Sequence, residues 1–275
     1  MGSGPTPILR FHAAGDWAPH QVHATRAPAP PWHPPAEVAA LVESAWAEAM
    51  SRPGVHLFDG PMCRLESWSA APDRLGLALS ETTYKRFLGT NLTHPDLADR
   101  YGREVLANPV GVSPALLTAD GFLMMGRRNA SVAYYPNRIH PFAGALDPAD
   151  ADPFAAVRRE LNEELGLTAP DVPDIRCTGI AEDLSIRQPE LIFLARTTRT
   201  RARIEAVLDR TEHYGSWAVA ADERSIRAAL EWGHADRGFT PVAVASLLLW
   251  GRAAFGSDWF QNALVWAGGL PITGV

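Results

Sequence analysis

The 275-residue sequence predicts an α/β domain preceded by a smaller α+β unit, and three observations carry that expectation. Residues 112–118 and 121–126 read as two strands joined through the turn-forming run Ala119-Asp120-Gly121. Residues 153–165 carry apolar side chains at helical spacing between a strong start, Asp152-Pro153, and a matching stop, Gly166. Upstream, an amphipathic helical pattern at residues 35–50 leads into alternating, strand-like segments.

Taken in order, residues 17–35 are dense in Pro, Ala and His, a composition that favours extended polyproline-like backbone and gives little to a core. Residues 1–35 are therefore expected to form an arm. His12, His20, His23 and His33 fall around it at irregular spacing without carboxylate or thiol partners, so solvated side chains are expected there and not a metal site. After the helix at 35–50 come strands at 55–58, 63–70 and 74–79, then helices at 82–87 and 95–106. Gly111 opens a new pattern of strands, which puts a boundary near Asn108 and divides the rest into units 36–107 and 108–275. Past the hairpin, residues 131–142 read as extended and 153–165 as helix. Strands at 176–185 and 191–197, a helix at 201–209, a strand at 216–220 and two late helices complete the chain, without internal repeats.

Composition narrows the functional classes. The chain is 47% hydrophobic and 20% charged, ordinary for a globular fold and unlike a disordered chain or coiled coil. With a net charge of −6 and no basic run interleaved with aromatics, a nucleic-acid polymer is not the expected partner; a small anionic substrate is, if a metal or local positive charge receives it. Cys63 and Cys177 are too few for a disulfide framework and fit buried thiols in a reducing cytoplasm. The start lacks the basic and apolar stretches of a signal peptide, and the longest apolar run, residues 242–250, is too short to cross a membrane. A cytoplasmic protein is expected.

The helix at 153–165 carries the chemistry. Phe154, Val157, Leu161 and Leu165 form its core stripe, while Glu160, Glu163 and Glu164 share its last two turns. Like charges at that spacing cost about 0.2–0.5 kcal/mol per pair, and acids near a helix C-terminus oppose its dipole. Arg159, one turn before Glu163, compensates in part. A divalent cation compensates better: magnesium takes a few carboxylate oxygens together with waters and substrate phosphates.

The run RELNEELGL at residues 159–167 resembles the second half of the nudix signature at every defined position. Upstream, PFAGALDPADADPF resembles that family's glycine loop, with Gly144 and Asp150 fitting its first part and one extra residue before Arg159. Asp150 stands where a glutamate is usual, and Asp152 competes for the same role. The resemblance implies an α/β/α sandwich with a mixed sheet and hydrolysis of a nucleoside diphosphate linked to another moiety. It also implies a Mg2+ site, with Mn2+ as the possible substitute, on Glu160, Glu163 and Glu164. Glu163 is the further ligand or the base, Arg159 orients it, Gly144 lets backbone approach the site, and Glu212, in RTEHYGS, stands where many members of the family carry another metal-binding or water-activating acid. His213 is expected as a surface loop residue able to contact phosphate.

Three further segments, HLFDGPMCRL at 56–65, ETTYKRFLGTN at 81–91 and ANPVGVSPALLTADGFLMMGRRN at 107–129, resemble the animal UDP-glucose and UDP-galactose pyrophosphatase branch of the family, as does GIAED at 179–183. That likeness implies a UDP-sugar as substrate, UMP and a sugar 1-phosphate as products, and Tyr84, Lys85, Arg86, Asn91, Arg127 and Arg128 as candidates for uridine stacking and phosphate contact. Arg187 and Gln188, between two strands, join them. Two other readings stand beside this one: ADP-ribose or another nucleoside diphosphate derivative as substrate, and a nudix-fold nucleotide sensor without turnover.

Overall fold

A computed structural model describes residues 8–28, 32–52, 57–132, 134–233, 238–266 and 272–273. Its strands are β1 Leu9–Trp17, β2 Val22–Arg26, β3 Pro61–Ala71, β4 Arg74–Thr83, β5 Gly111–Leu117, β6 Phe122–Arg128, β7 Ile139–His140, β8 Gly144–Ala145, β9 Asp174–Asp183, β10 Gln188–Arg196, β11 His213–Ala220 and β12 Ile272–Thr273. Its helices are α1 Ala36–Ser51, α2 Tyr84–Phe87, α3 Leu97–Tyr101, α4 Pro153–Leu165, α5 Arg201–Glu205, α6 Glu223–Gly233, α7 Pro241–Phe255 and α8 Ser257–Trp266.

Gly121, at φ +78°, makes the turn between β5 and β6 without the strain a side chain would meet there. That hairpin lies within a mixed sheet ordered β11-β6-β5-β10-β9-β1-β12, with β7 on β6 and β8 on β5. The β5–β10 pair is parallel and the β10–β9 pair antiparallel, so side chains of β10 alternate strictly between two covered faces. Leu191 and Phe193 meet Val157, Leu161 and Leu165 of α4 on one face. Ile192 and Leu194 meet Val244, Leu247 and Leu248 of α7 on the other. The sheet is thus sandwiched between helices, the α/β/α arrangement expected. The apolar run 242–250 is the buried middle of α7, and among the described residues no helix is long and apolar enough to cross a membrane.

A second sheet, β2-β4-β3, sends Leu75, Leu77 and Leu79 into the same core as α4. It is tied to the larger sheet by backbone bonds from Cys63 N to Leu146 O and from Val110 N to Cys63 O, both 2.8 Å. Cys63 and Cys177 are buried and free.

The chain departs from expectation in several places. Residues 9–17 are not an arm but an inner strand of the main sheet, because Leu9, Phe11 and Trp17 are nearly fully buried. Residues 22–26 pair in parallel with β4, with Val22 and Ala24 packed against the core and the rest mostly exposed. His20, His23 and His33 are exposed, but His12 bonds Glu182 at 2.8 Å. The strand expected at 55–58 lies partly outside the described residues. The helix expected at 95–106 is cut by Gly102 at φ +88°. Within 131–142, Tyr135 and Asn137 turn the chain at positive φ, and among the described residues there only Ile139–His140 is strand. The helix after β10 stops at Glu205, and among the described residues three helices, not two, follow β11.

Candidate active site

Helix α4 is placed by its own ends. Asp152 accepts hydrogen bonds from the Phe154 and Ala155 amides, both 2.8 Å, and Gly166 ends the helix at φ +61°. This resolves the competition between the two loop aspartates: Asp152 caps the helix, whereas Asp150 reaches Arg159. The Arg159 guanidinium forks onto Asp150, Nε to Oδ1 at 3.1 Å and Nη2 to Oδ2 at 3.0 Å. Nη2 also donates to Ala145 O at 3.0 Å. Its Nη1 holds Glu160 at 2.6 Å and Glu163 at 3.3 Å. One guanidinium therefore locks the loop to the helix and orients two of its carboxylates, and these anions raise its own pKa further.

With its apolar stripe against the sheet, α4 turns Glu160 and Glu163 into a cleft of about 520 Å³. Arg128, Tyr134, Gly144 and Glu212 share its lining. Gly144 leaves room for the Glu160 carboxylate: a Cβ there would stand 2.0 Å from Glu160 Oε1 and displace it. Burial pushes the Glu160 carboxyl up to about 7, opposed by Arg159 and reinforced by Glu164 and Glu163. Burial also raises Glu164, with Glu212 adding to the effect. Three crowded acids of which two are buried need a counter-charge beyond one arginine. A carboxylate oxygen of Glu164 and one of Glu212 lie within 4.8 Å of each other, two hard donors of the kind a divalent cation takes.

His213, expected on the surface, is buried as the first residue of β11, and its Nε2 lies 2.6 Å from Glu164 Oε2. Burial, then the Arg128 charge, push its pKa down to about 4, so it is neutral near pH 7. Glu212 is exposed at the cleft.

The expected substrate contacts divide sharply. Arg128 lies in the cleft, stacked 4.8 Å from the Tyr134 ring centroid, with its buried Nε unpartnered. Arg127, the next residue in the strand, points elsewhere and donates to Ser216 O at 3.1 Å. Tyr84, Lys85, Arg86, Asn91 and Arg187 are not among the cleft-lining residues. Tyr84 packs edge-on against Trp46 and Phe87. Lys85 pairs with Glu43 at 2.7 Å, and Arg86 covers the Trp32 ring at 4.7 Å. Asn91 is fully buried, donating to the carbonyls of Ile186 and Arg187 and accepting from Asn108 N. Arg187 pairs with Asp99 at 2.7 Å, and Gln188 is buried in β10. Phe87 brings this segment to the cleft, packing edge-on 6.4 Å from Tyr134.

Sequence reasoning passed over Tyr134, Ser131 and Thr211 of the lining, and the buried role of His213. Two adjacent tyrosines just after Arg127-Arg128 were the available signal for the first. His213 and its neighbour Gly126 meet only across the β6–β11 pair, a relation no linear spacing reveals.

A mixed sheet between helices, with a carboxylate-bearing helix facing a glycine-lined cleft, defines an α/β/α domain, and residues 107–230 match the NUDIX domain. The chain is similar to the human uridine diphosphate glucose pyrophosphatase NUDT22, 31% identical over 54% of this chain and 55% of that one, and to its Bos taurus counterpart, 38% identical over 34% and 39%. The chain thus spans about half the length of the human relative. Among solved structures, DR0079 from Deinococcus radiodurans covers 50% of this chain and 80% of its own, at 17% identity and a TM-score of 0.41.

Proposed function

We propose that this chain is a Mg2+-dependent nucleotide-sugar diphosphatase that hydrolyses UDP-glucose and UDP-galactose to UMP and a sugar 1-phosphate, with Mn2+ as substitute cation. The observation that carries this reading is the convergence of Glu160, Glu163, Glu212 and Arg128 on one cleft. The likeness to the NUDT22 relatives supports the uridine and sugar, and the cleft itself supports the diphosphate.

Glu160, Glu163 and Glu164 are the residues that would hold the cation, with Glu212 beside them. A bound divalent cation supplies charge neutralisation on the diphosphate oxygens and a more acidic water. Arg159, braced by Asp150, keeps Glu160 and Glu163 oriented through the reaction. Glu163 and Glu212, the exposed carboxylates of the cleft, are the groups to accept the proton of the attacking water. Arg128 offers its positive charge to a phosphate oxygen, and Tyr134 offers the uracil a ring face.

Chromatography of products from UDP-glucose, UDP-galactose, ADP-ribose and NADH with Mg2+, for the wild type and Glu164→Gln, tests this reading. UMP and sugar phosphate, lost in the variant, are expected. AMP as the main product would move the substrate to the adenine derivatives, and no metal-dependent product from any compound would make the domain a sensor.

A further inference from the structure

We infer that His213 is a positioning residue for Glu164: it donates Nε2–H to Glu164 Oε2 and holds that carboxylate in the single orientation a divalent cation requires. The inference rests on the reading above in giving Glu164 to the metal.

Four observations lead to it. The contact is short, 2.6 Å, and both residues are buried, His213 only 1% exposed. Neither belongs to the lining of the cleft, which passes from Glu160 and Glu163 to Glu212. With no place of its own in the lining, His213 acts through the carboxylate it holds. The tautomer follows from the surroundings: Nδ1 is buried without a partner. An orphaned N–H is rarer and costlier in an interior than an orphaned acceptor, so the hydrogen of the neutral ring belongs on Nε2, where the carboxylate takes it.

The fold also builds room for the ring. Gly126 faces it across the β6–β11 pair, and a Cβ there would stand 2.3 Å from Nδ1. Phe142 packs edge-on at 5.4 Å. Between His213 and Gly215 the β6–β11 register slips, a bulge of the kind that re-aims a side chain at a strand's end. A ligating carboxylate held by a fixed donor is the arrangement whose loss typically weakens metal binding about 10–100-fold.

The test is Mn2+ binding, read from the electron paramagnetic resonance signal of the free ion, with thermal melts to monitor the fold. His213→Phe keeps the ring packing without the donor and is expected to bind Mn2+ about 10–100-fold more weakly. His213→Gln, whose amide N–H can replace Nε2–H, is expected to restore most of the affinity. In a Glu164→Gln background, His213→Phe is expected to cost nothing further. Wild-type binding by His213→Phe, equal losses in Phe and Gln, or an undiminished loss in the Glu164→Gln background would each overturn the inference. If His213→Phe does not melt cooperatively, Gly126→Ala takes its place with the same expected loss, and unchanged binding there overturns the inference. A wild type that binds Mn2+ with this pattern yet hydrolyses no nucleoside diphosphate sinks the hydrolase reading and leaves the positioning role standing.

Discussion

Helix α4 and the segment from Tyr84 to Asn91 both stand out as functional in the sequence, yet only the first presents its charges to the cleft. In α4 the helix is fixed by its own cap and stop, so the faces of Glu160 and Glu163 follow from residue spacing alone. In the other segment the polar side chains are taken up one by one by tertiary neighbours: Glu43 takes Lys85, Trp32 takes Arg86, and the β9–β10 loop takes Asn91. A likeness over such a segment marks shared architecture as readily as shared chemistry. The difference is a matter of where a role is decided, locally in the first case and by remote contacts in the second.

The largest effect that would break this contrast is at Gly144. Gly144→Ala sets a methyl group in the seat of the Glu160 carboxylate, and kcat for UDP-glucose is expected to fall about 10²-fold, a change of roughly 3 kcal/mol in the barrier. The melting temperature should move little, since Gly144 is only half-buried and at negative φ.

Asn91→Ala is expected to behave in the opposite way. It strands two carbonyls and the Asn108 amide, so urea unfolding should report a loss of about 2 kcal/mol. KM for UDP-glucose should stay within error of the wild type. A raised KM with unchanged stability would return Asn91 to the substrate site.

Asp152→Ala removes a helix cap and is expected to cost about 1 kcal/mol in the same experiment, with kcat nearly unaffected because Asp150, not Asp152, holds Arg159. A fall in kcat as large as that from Gly144→Ala would reverse the assignment of the two aspartates.

The smallest effect is on pH. Between pH 6.5 and 8 Glu160, raised to about 7, and Glu190, raised to about 8, still bind protons when folded that the unfolded chain has released, and these outnumber the protons that His140 and His213, both lowered by burial, give up on folding. The folded state then holds more protons, so stability falls as pH rises through this window. Melts of metal-free protein should drop by a few degrees, at most about 1 kcal/mol from Glu160. Mg2+ should stabilise the protein more at pH 8 than at pH 6.5, and that gain should vanish in Glu160→Gln. A metal-free protein whose stability rises over this range contradicts the burial of these carboxyls.

The legible parts of the molecule were those decided over a few residues. The bounds of α4, its buried stripe, the β5–β6 hairpin and the acids at the cleft follow from caps, turns and periodicity. β1 escaped notice because a Pro-rich stretch next to it outweighed the alternation of Leu9, Phe11 and Ala13, which acquires meaning only when β9 pairs alongside. The partnership of His213 with Glu164 joins residues 49 positions apart, and the bracing of Arg159 by Asp150 depended on whether the extra loop residue let the shorter acid reach. Tertiary pairing decided each of these.

The central claim, that the α4 carboxylates hold the cation used to cut a nucleoside diphosphate, is tested most directly by returning Mg2+ to protein stripped with EDTA and following UDP-glucose hydrolysis. The wild type is expected to regain activity in a saturable manner, and Glu160→Gln to stay about 10²–10³-fold lower at every Mg2+ concentration while melting cooperatively. Full activity in the stripped wild type, or in Glu160→Gln, would contradict it.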